Sequence, residues 1–310
     1  MPPETPNPTP PESPSIAIVL VALSIMAFAV SDAIVKWLAG DYEGPQIILI
    51  RSIVAIPLIA MLLQRAGTWR QVRHVQQGWL SLRVVFGTLS YITFIKAIEL
   101  LPLAETVALT FAGPLFITAL SMPLLGDRVG ARRWGAVIVG FGGVVVIVRP
   151  GAGVFQPEAL WALASAACYA VAAIGTRKLA LRTPASVILA WVNTYVLALM
   201  AIAVVAFDLW VTPTLEDFLL LCGVGFASTL GQYLGTEAYR RAQPSLLAPF
   251  DYTALVWATL LGFLIWGEVP SWAVVAGSAV LVASGLYILR RETVRRSHAV
   301  TGWRGLRRWR

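Results

Sequence analysis

Three charged side chains fall inside long apolar stretches of this chain, namely Asp32, Arg51 and Asp251. A charge near the centre of a membrane helix costs about 2.5–3.5 kcal/mol on insertion scales, so each needs a partner, a ligand or a water-filled cavity. Asp32 and Arg51 have similar predicted depths, where they could form a structural salt bridge or contact a substrate directly. Asp251 could bind a proton or an amine, or it could face water in a vestibule.

Aromatic and amide side chains also lie away from the ends of the apolar stretches. Rings can cover the apolar atoms of a small amphipathic solute while hydroxyl and amide groups fix its orientation. Helix packing is the more frequent role for any single residue of this kind. As a set they indicate a pocket, and the predicted substrate-binding residues are Asp32, Tyr91, Phe111, Tyr169, Gln232, Tyr233, Tyr252 and Trp257.

Prolines and glycines mark a second group of residues. Pro114 and Pro249 each leave a backbone carbonyl of the preceding turn without its hydrogen bond, which could bind a ligand or could merely kink the helix. Gly231 and Gly235 have the small-xxx-small spacing of closely packed membrane helices. The predicted structural or gating residues are Arg51, Pro114, Gly231, Gly235, Pro249 and Asp251.

Cofactor, metal and enzyme chemistry find no support in the remaining residues. The two histidines, His74 and His298, lie in a loop and in the tail, and Cys168 and Cys222 lie singly within apolar segments. There is no HExxH motif and no pair of intramembrane aspartates in a glycine-rich context. We therefore predict no catalytic residue, no metal site and no cofactor.

Four further charged residues lie nearer the ends of the apolar segments. Their long side chains are expected to reach water, and they receive no predicted function; they are Arg83, Lys96, Glu105 and Glu237.

Composition places the elements that carry these residues in a membrane. Of 310 residues, 58% are hydrophobic and 13% are charged, and the mean hydropathy is +0.75. A soluble globule needs more polar surface than this. The net charge of +8 does not indicate a nucleic-acid partner, because the basic residues lie in loops and in the tail.

Ten apolar segments have the roughly 20 residues that a bilayer crossing needs. Before them, the proline-rich residues 1–15 are expected to be disordered and cytoplasmic. After them, the basic tail 291–310 could lie on anionic lipid or simply be solvated. The predicted spans are about 16–38, 46–64, 79–98, 103–125, 134–149, 158–177, 186–207, 215–238, 246–266 and 271–289.

The chain contains an internal duplication. A shift of 141 residues, without a gap, aligns Thr88 with Thr229, Gly126 with Gly267 and Arg149 with Arg290. The shift predicts a first repeat at 16–149 and a second at 158–290. Five spans per repeat is an odd number, so the second repeat must be inverted in the membrane. The predicted fold is an all-α membrane protein with ten transmembrane helices in two inverted-topology five-helix repeats.

Charges in the loops predict the orientation. Lys and Arg concentrate in the loops on one side and in the tail, whereas the other side is richer in Asp and Glu. By the positive-inside rule, both termini are cytoplasmic, in a multi-pass protein of the cell inner membrane.

Three sequence motifs resemble the EamA branch of the drug/metabolite transporter superfamily. They are MPLLGD at 122–127, LIWGE at 264–268 and KAIELLPLAETVAL at 96–109. The resemblance covers roughly residues 16–290. It implies secondary transport, usually export, by alternating access, with a central cavity between spans one, three, four, six, eight and nine. Members of the superfamily handle amino acids, including aromatic ones, and also purines, sugars, vitamins and cationic drugs.

The predicted function is therefore export of small metabolites, with amino acids as the first candidates, aromatic or of broad range. Alternatives are an exporter of another metabolite or drug and a non-transporting membrane scaffold. The expected partners are a small-molecule substrate and the lipid bilayer, and protons could serve as the coupling ion. The protein could be a monomer or a homodimer.

Overall fold

The computed structural model describes residues 14–69, 71, 75–126, 130–149, 157–242 and 244–306. Within these ranges the chain forms helices and no strand. The helices in order are α1 (Pro14–Leu38), α2 (Gly44–Ala66), α3 (Gln77–Leu100), α4 (Leu103–Thr110), α5 (Gly113–Leu125), α6 (Ala131–Val148), α7 (Ala159–Ala180), α8 (Ala185–Ala206), α9 (Leu215–Arg241), α10 (Pro244–Asp251), α11 (Thr253–Trp266) and α12 (Trp272–Leu306).

Nine segments of the described chain have the length and hydropathy of a membrane crossing, and Trp272–Ile288 is a tenth, shorter apolar helix. Leu103–Leu125 combines α4 and α5, and Pro249–Trp266 combines the end of α10 with α11. Helices suit this environment because lipid offers no hydrogen bond to an exposed backbone group. The predicted ten-helix membrane fold is confirmed. We call the face where α1 begins the terminal face, and the other one the opposite face.

The two halves have the same helix boundaries when the chain is shifted by 141 residues. The eight-residue helices α4 and α10 begin at the equivalent positions Leu103 and Pro244. The helices that follow them end at the equivalent residues Gly126 and Gly267. These glycines have φ angles of 71° and 69°, a left-handed conformation that glycine adopts without strain. The predicted five-helix repeats are therefore visible in the structure.

Helix pairing relates the two repeats by an approximate two-fold axis, and the odd number of spans in each repeat inverts the second one in the membrane. α1 packs along α9, and α7 packs along α3. Ser24 on α1 donates its hydroxyl to the carbonyl of Gly231 at 2.7 Å, and Ser90 on α3 donates its hydroxyl to the carbonyl of Ser165 on α7 at 2.9 Å. The shift aligns Ser24 with Ser165 and Ser90 with Gly231. The same close helix contact thus occurs twice, related by a pseudo-two-fold axis.

Two other helix pairs lie on that axis, because α2 packs against its own equivalent α8, and α6 against α12. A Cβ atom on Gly143 would lie 2.8 Å from the carbonyl oxygen of Gly277, and one on Gly277 would lie 2.6 Å from that of Gly143. Glycine at these two positions therefore allows the backbones of α6 and α12 to approach closely. On the outer side of α6, Ile138 and Val139 are exposed, as expected for side chains that face lipid.

The predicted spans 103–125 and 246–266 are each divided into two helices. Pro114 does not kink a continuous helix, because it lies in the first turn of α5, where a missing N–H costs nothing. The first break falls at Phe111 and Ala112, and the second at Tyr252. Phe111 and Tyr252 are equivalent under the repeat. Both halves are therefore interrupted at the same distance from the start of the span, measured from opposite faces of the membrane.

The segments predicted at the two ends of the chain are only partly covered by the described residues. Residues 1–13 of the predicted proline-rich segment lie outside the described residues, as do residues 307–310 of the basic tail. The backbone of α12 continues as a helix from the apolar part to Leu306. The division into 1–15, 16–149, 158–290 and 291–310 stays a prediction.

The close approach of α6 and α12 predicts different effects at two adjacent glycines. Gly143→Ala should destabilise the protein by about 1–3 kcal/mol, because the added methyl group has no space beside Gly277. Gly142→Ala is the matched control, since a Cβ atom there meets nothing within 4 Å. Thermal unfolding of the purified variants in detergent measures the difference. Equal melting temperatures for the two variants would contradict this packing.

Candidate functional site

A cavity of about 820 Å³ lies among the helices of both halves. This volume is within the usual range for sites that enclose a small organic molecule. The cavity wall includes seven of the predicted site residues, namely Arg51, Tyr91, Phe111, Pro114, Tyr169, Asp251 and Tyr252. The structure therefore brings together residues that are up to 201 positions apart in the chain.

Aromatic rings form the middle of the cavity wall at the two helix breaks. The rings of Phe111 and Tyr252 have centroids 5.0 Å apart and are tilted by 43°. Tyr91 stacks on Phe94 with a centroid distance of 6.3 Å. Tyr169 is 56% exposed although it lies midway along α7, because its ring faces the cavity. Broken helices thus place rings, together with the ends of short helices, against the same space.

Arg51 does not form the salt bridge with Asp32 that the sequence suggested. In the described chain, no carboxylate lies within salt-bridge distance of Arg51. Its Nε donates to the hydroxyl of Ser228 at 3.0 Å, and its guanidinium lies over the ring of Tyr91, 4.4 Å from the centroid. The guanidinium is therefore turned toward α9 and α3. Asp32 remains within electrostatic range of Arg51 but lines neither cavity.

Arg83 is a cavity residue that sequence reasoning missed. It was expected to reach water from the end of α3, yet it is half-buried and lines the cavity. Gly87, one helical turn later, leaves room for its guanidinium, since a Cβ atom there would collide with Nη1 of Arg83. The sequence did contain a signal for this position, namely a basic residue inside a span with glycine four residues later on the same helix face.

Asp251 supplies the negative charge on the cavity wall. It is the last residue of α10 and accepts hydrogen bonds from the hydroxyl of Tyr239 on α9, at 3.2 Å to Oδ2 and 3.4 Å to Oδ1. The cavity therefore has basic groups on α2 and α3 and an acidic group at the break between α10 and α11. Such an arrangement can hold a solute that carries charges of both signs.

The other predicted residues lie away from this cavity. Gln232 lines a smaller chamber of about 150 Å³ between α2, α3, α8 and α9. Tyr233 accepts a hydrogen bond from Arg65 at 3.0 Å, and Trp257 packs in an apolar cluster with α1 and α9. Pro249 lies within α10 and is not part of either wall. A substrate-binding role for Tyr233 and Trp257 stays a prediction that the cavity geometry does not support.

Gly231 and Gly235 pack against α1, as their spacing predicted. A Cβ atom on Gly231 would lie 3.0 Å from the carbonyl oxygen of Ser24, and one on Gly235 would lie 2.9 Å from the Ser24 hydroxyl. Gln232, between them, is exposed toward the small chamber. α9 therefore has one tightly packed side and one polar side.

A charged cluster joins several helices at the opposite face. Lys36 on α1 pairs with Oε1 of Glu268 and donates a second hydrogen bond to the carbonyl of Leu101 at 2.8 Å. Oε2 of Glu268 accepts from the backbone N–H of Leu103 at 2.8 Å, at the start of α4. Glu268 thus joins α1, the α3–α4 connection and the end of α11. Glu105 on α4 was expected to reach water, but it is only 7% exposed.

The lining residues lie nearer to the terminal face than to the opposite face. Thr110 and Arg51 are seven residues from the starts of α4 and α2, or about 10 Å below the opposite face at 1.5 Å per residue. Tyr239 is two residues from the end of α9 at the terminal face and is 40% exposed. The cavity therefore lies nearer to the terminal face, where Tyr239 on its wall is partly exposed.

Cysteine labelling distinguishes a water-filled cavity from a lipid-facing surface. In a variant with Cys168 and Cys222 replaced by alanine, Tyr169→Cys should react with a membrane-impermeant methanethiosulfonate added at the terminal face. Ile138→Cys is the control because its side chain is even more exposed, at 68% against 56%, but faces lipid. We expect at least tenfold faster labelling at position 169, since the thiolate forms only in water. Similar rates would contradict a hydrated cavity.

The Lys36–Glu268 pair should contribute more to stability than an exposed pair. Glu268→Gln leaves the ammonium group of Lys36, which is 9% exposed, without a countercharge, and should cost about 3 kcal/mol. Glu99→Gln breaks the more exposed Lys96–Glu99 pair, in which Lys96 is 45% exposed, and should cost less than about 1 kcal/mol. Thermal unfolding of both variants checks this order, and a larger loss for Glu99→Gln would refute it.

Comparison with known proteins gives the family. The model of the EamA-like transporter family matches residues 15–149 and again residues 156–290. A riboflavin transporter of Vibrio cholerae is 28% identical, over 86% of this chain and 91% of the relative. A pseudopaline exporter of Pseudomonas aeruginosa is 29% identical, over 89% and 96%. An S-adenosylmethionine uptake transporter of Rickettsia bellii is 26% identical, over 90% and 94%.

A solved crystal structure has the same fold. It matches with a TM-score of 0.61 at 22% identity, over 92% of this chain and 99% of its own chain. The two family matches coincide with the two inverted five-helix halves described above. This chain therefore belongs to the EamA-like transporter family of the drug/metabolite transporter superfamily.

Proposed function

We propose that this protein is a secondary transporter that exports small metabolites by alternating access, with amino acids as the first candidates. The observation that carries the proposal is a cavity between two inverted halves that lies nearer to the terminal face, with the Lys36–Glu268 cluster at the opposite face. Inverted repeats around a central site are the usual architecture of such transporters. Membership of the family supports transport of a small metabolite.

The chemistry of the cavity wall favours an amino acid. Phe111 and Tyr252 offer rings to an apolar side chain. Arg51 and Asp251 offer opposite charges on different walls, to the carboxylate and the ammonium group of a zwitterion. A neutral vitamin or sugar needs neither charge in the membrane, where each charge is costly.

The proposal also includes the orientation of the protein in the membrane and the direction of transport. The concentration of Lys and Arg at the terminal face supports a cytoplasmic location of that face in an inner membrane. The cavity described here would then face the cytoplasm, which suits loading of a solute for export. The relatives include one named for export and one named for uptake, so direction needs its own measurement. Asp32 and Asp251 are the acidic groups through which protons could couple to transport.

A counterflow assay tests the proposal. The purified chain is reconstituted into liposomes loaded with one unlabelled amino acid, and uptake of the same labelled amino acid is followed for each member of a panel. We expect saturable exchange of at least one amino acid, with everted vesicles showing net movement away from the cytoplasmic face. Exchange of riboflavin or S-adenosylmethionine, with none of any amino acid, would overturn the amino-acid assignment.

Substitution of a cavity ring should slow transport without unfolding the protein. Tyr252→Ala removes the ring that faces Phe111 and should reduce the exchange rate at least tenfold. Val256→Ala, one turn later on α11, is the matched control because its side chain is 65% exposed and lies outside both cavities. Initial rates at equal reconstituted protein give the comparison. Unchanged exchange in the Tyr252 variant would remove this ring from the solute path.

A further inference from the structure

The small chamber beside the main cavity has an unusual set of polar groups. Both spaces share Arg51, Arg83, Gly87 and Tyr91 as a common wall. The remaining polar groups of the chamber are hydroxyls and amides, namely Ser52, Thr88, Asn193, Ser228, Thr229 and Gln232. No carboxylate of the described chain lines it. The chamber is therefore rich in donors and has positive charge alone.

Two of these donors lack a partner. In the described ranges, the guanidinium of Arg83 has neither a hydrogen bond nor an ion pair. The hydroxyl of Thr88, one turn and a residue later on α3, is buried with the residue only 5% exposed, and it also has no hydrogen-bond partner. A buried donor without an acceptor costs about 1–3 kcal/mol, and a charged donor costs more. Both residues line the same 150 Å³ space, but the hydroxyl oxygen of Thr88 has no accessible surface there, whereas Arg83 is only half-buried.

The surrounding charges leave Arg83 uncompensated. Arg51 has Asp32 within electrostatic range, and it already donates to Ser228. The titratable groups that interact with Arg83 are the hydroxyl of Tyr169 and the like charge of Arg51. An anion placed between the two guanidinium groups would relieve their repulsion and accept their free N–H donors.

We infer that Arg83 and Arg51 form an anion subsite that binds the carboxylate of the transported solute, an α-amino-carboxylate zwitterion. This inference rests on the proposed function and names the groups that select the solute. Arg83 presents a planar fork of N–H donors that matches a carboxylate. The chamber, at about 150 Å³, admits a carboxylate with water, and the main cavity, at about 820 Å³, has room for the rest of the solute.

The opposite charge of the zwitterion has a counterpart in the main cavity. Tyr169 lies within electrostatic range of both Arg83 and Asp251, and all three residues line the main cavity. The ammonium group would be held by Asp251, whose carboxylate is oriented by Tyr239. Rings of Phe111 and Tyr252 then cover the side chain of the solute. A molecule with an amine but no carboxylate would leave Arg83 unpaired.

Carboxylate binding can be measured without any transport. The purified full-length chain, in nanodiscs of neutral lipid, is titrated with sodium benzoate or with benzamide at constant ionic strength, and the melting temperature is recorded. Benzoate should give a saturable increase and benzamide none, because a ligand stabilises the state that binds it in proportion to its occupancy. Arg83→Gln should weaken the apparent affinity for benzoate at least tenfold, and Arg83→Lys should weaken it by a smaller factor. Lys96→Gln, on the same helix but paired with Glu99 outside the cavities, should leave it unchanged.

The outcomes also separate the subsite from the proposed function. Equal stabilisation by benzoate and benzamide, or undiminished benzoate affinity in Arg83→Gln, overturns the subsite. If benzoate binding is lost in Arg83→Gln but no amino acid shows counterflow, the subsite is supported and the amino-acid assignment is overturned. Counterflow of phenylalanine that is lost in Arg83→Gln, while phenylalanine amide never exchanges, supports both.

Discussion

Close contact between helices of opposite halves determines the rest of this structure. α1 lies against α9 and α3 against α7 through serine and glycine, so each pair joins one helix from each repeat. Apolar side chains gain little from contact with each other when the alternative is lipid, and small residues that allow backbone approach supply the association instead. Because the contact is made twice by inverted copies, the two pairs stand on either side of a central space. The cavity is a product of this packing.

The interrupted helices explain how polar groups reach that space. A continuous helix uses its backbone donors and acceptors internally, whereas the α4–α5 and α10–α11 breaks leave helix ends at the depth of the cavity. Phe111 and Tyr252 occupy equivalent positions at the breaks and contact each other across the pseudo-two-fold axis. Asp251, immediately before its break, can therefore lie inside the membrane while it faces water or a solute rather than lipid.

The sequence predicts the fold better than it predicts the site. Hydropathy and the 141-residue shift are properties of long segments, and they predicted ten spans, the duplication and its inversion. Side-chain direction depends on helix rotation, which a span prediction does not contain; this is why Tyr233 and Trp257 were selected although they lie off the cavity. Arg83 was dismissed because its nearness to the end of α3 suggested water. Gly87, one helical turn later, leaves room for the guanidinium inside the protein. This effect becomes visible only when the space around Gly87 is known from the structure.

Duplicated halves need not be energetically equal, and one proline shows why. Glu268 accepts a hydrogen bond from the backbone N–H of Leu103, whereas the position equivalent to Leu103 in the second half is Pro244, which has no N–H to donate. A hydrogen bond to a charged group contributes roughly 1.5–3 kcal/mol, which corresponds to roughly a tenfold to hundredfold difference in population. Under the proposed alternating-access function, this hydrogen bond would favour the conformation in which the Lys36–Glu268 cluster is formed, and binding of the solute would have to stabilise the reverse conformation.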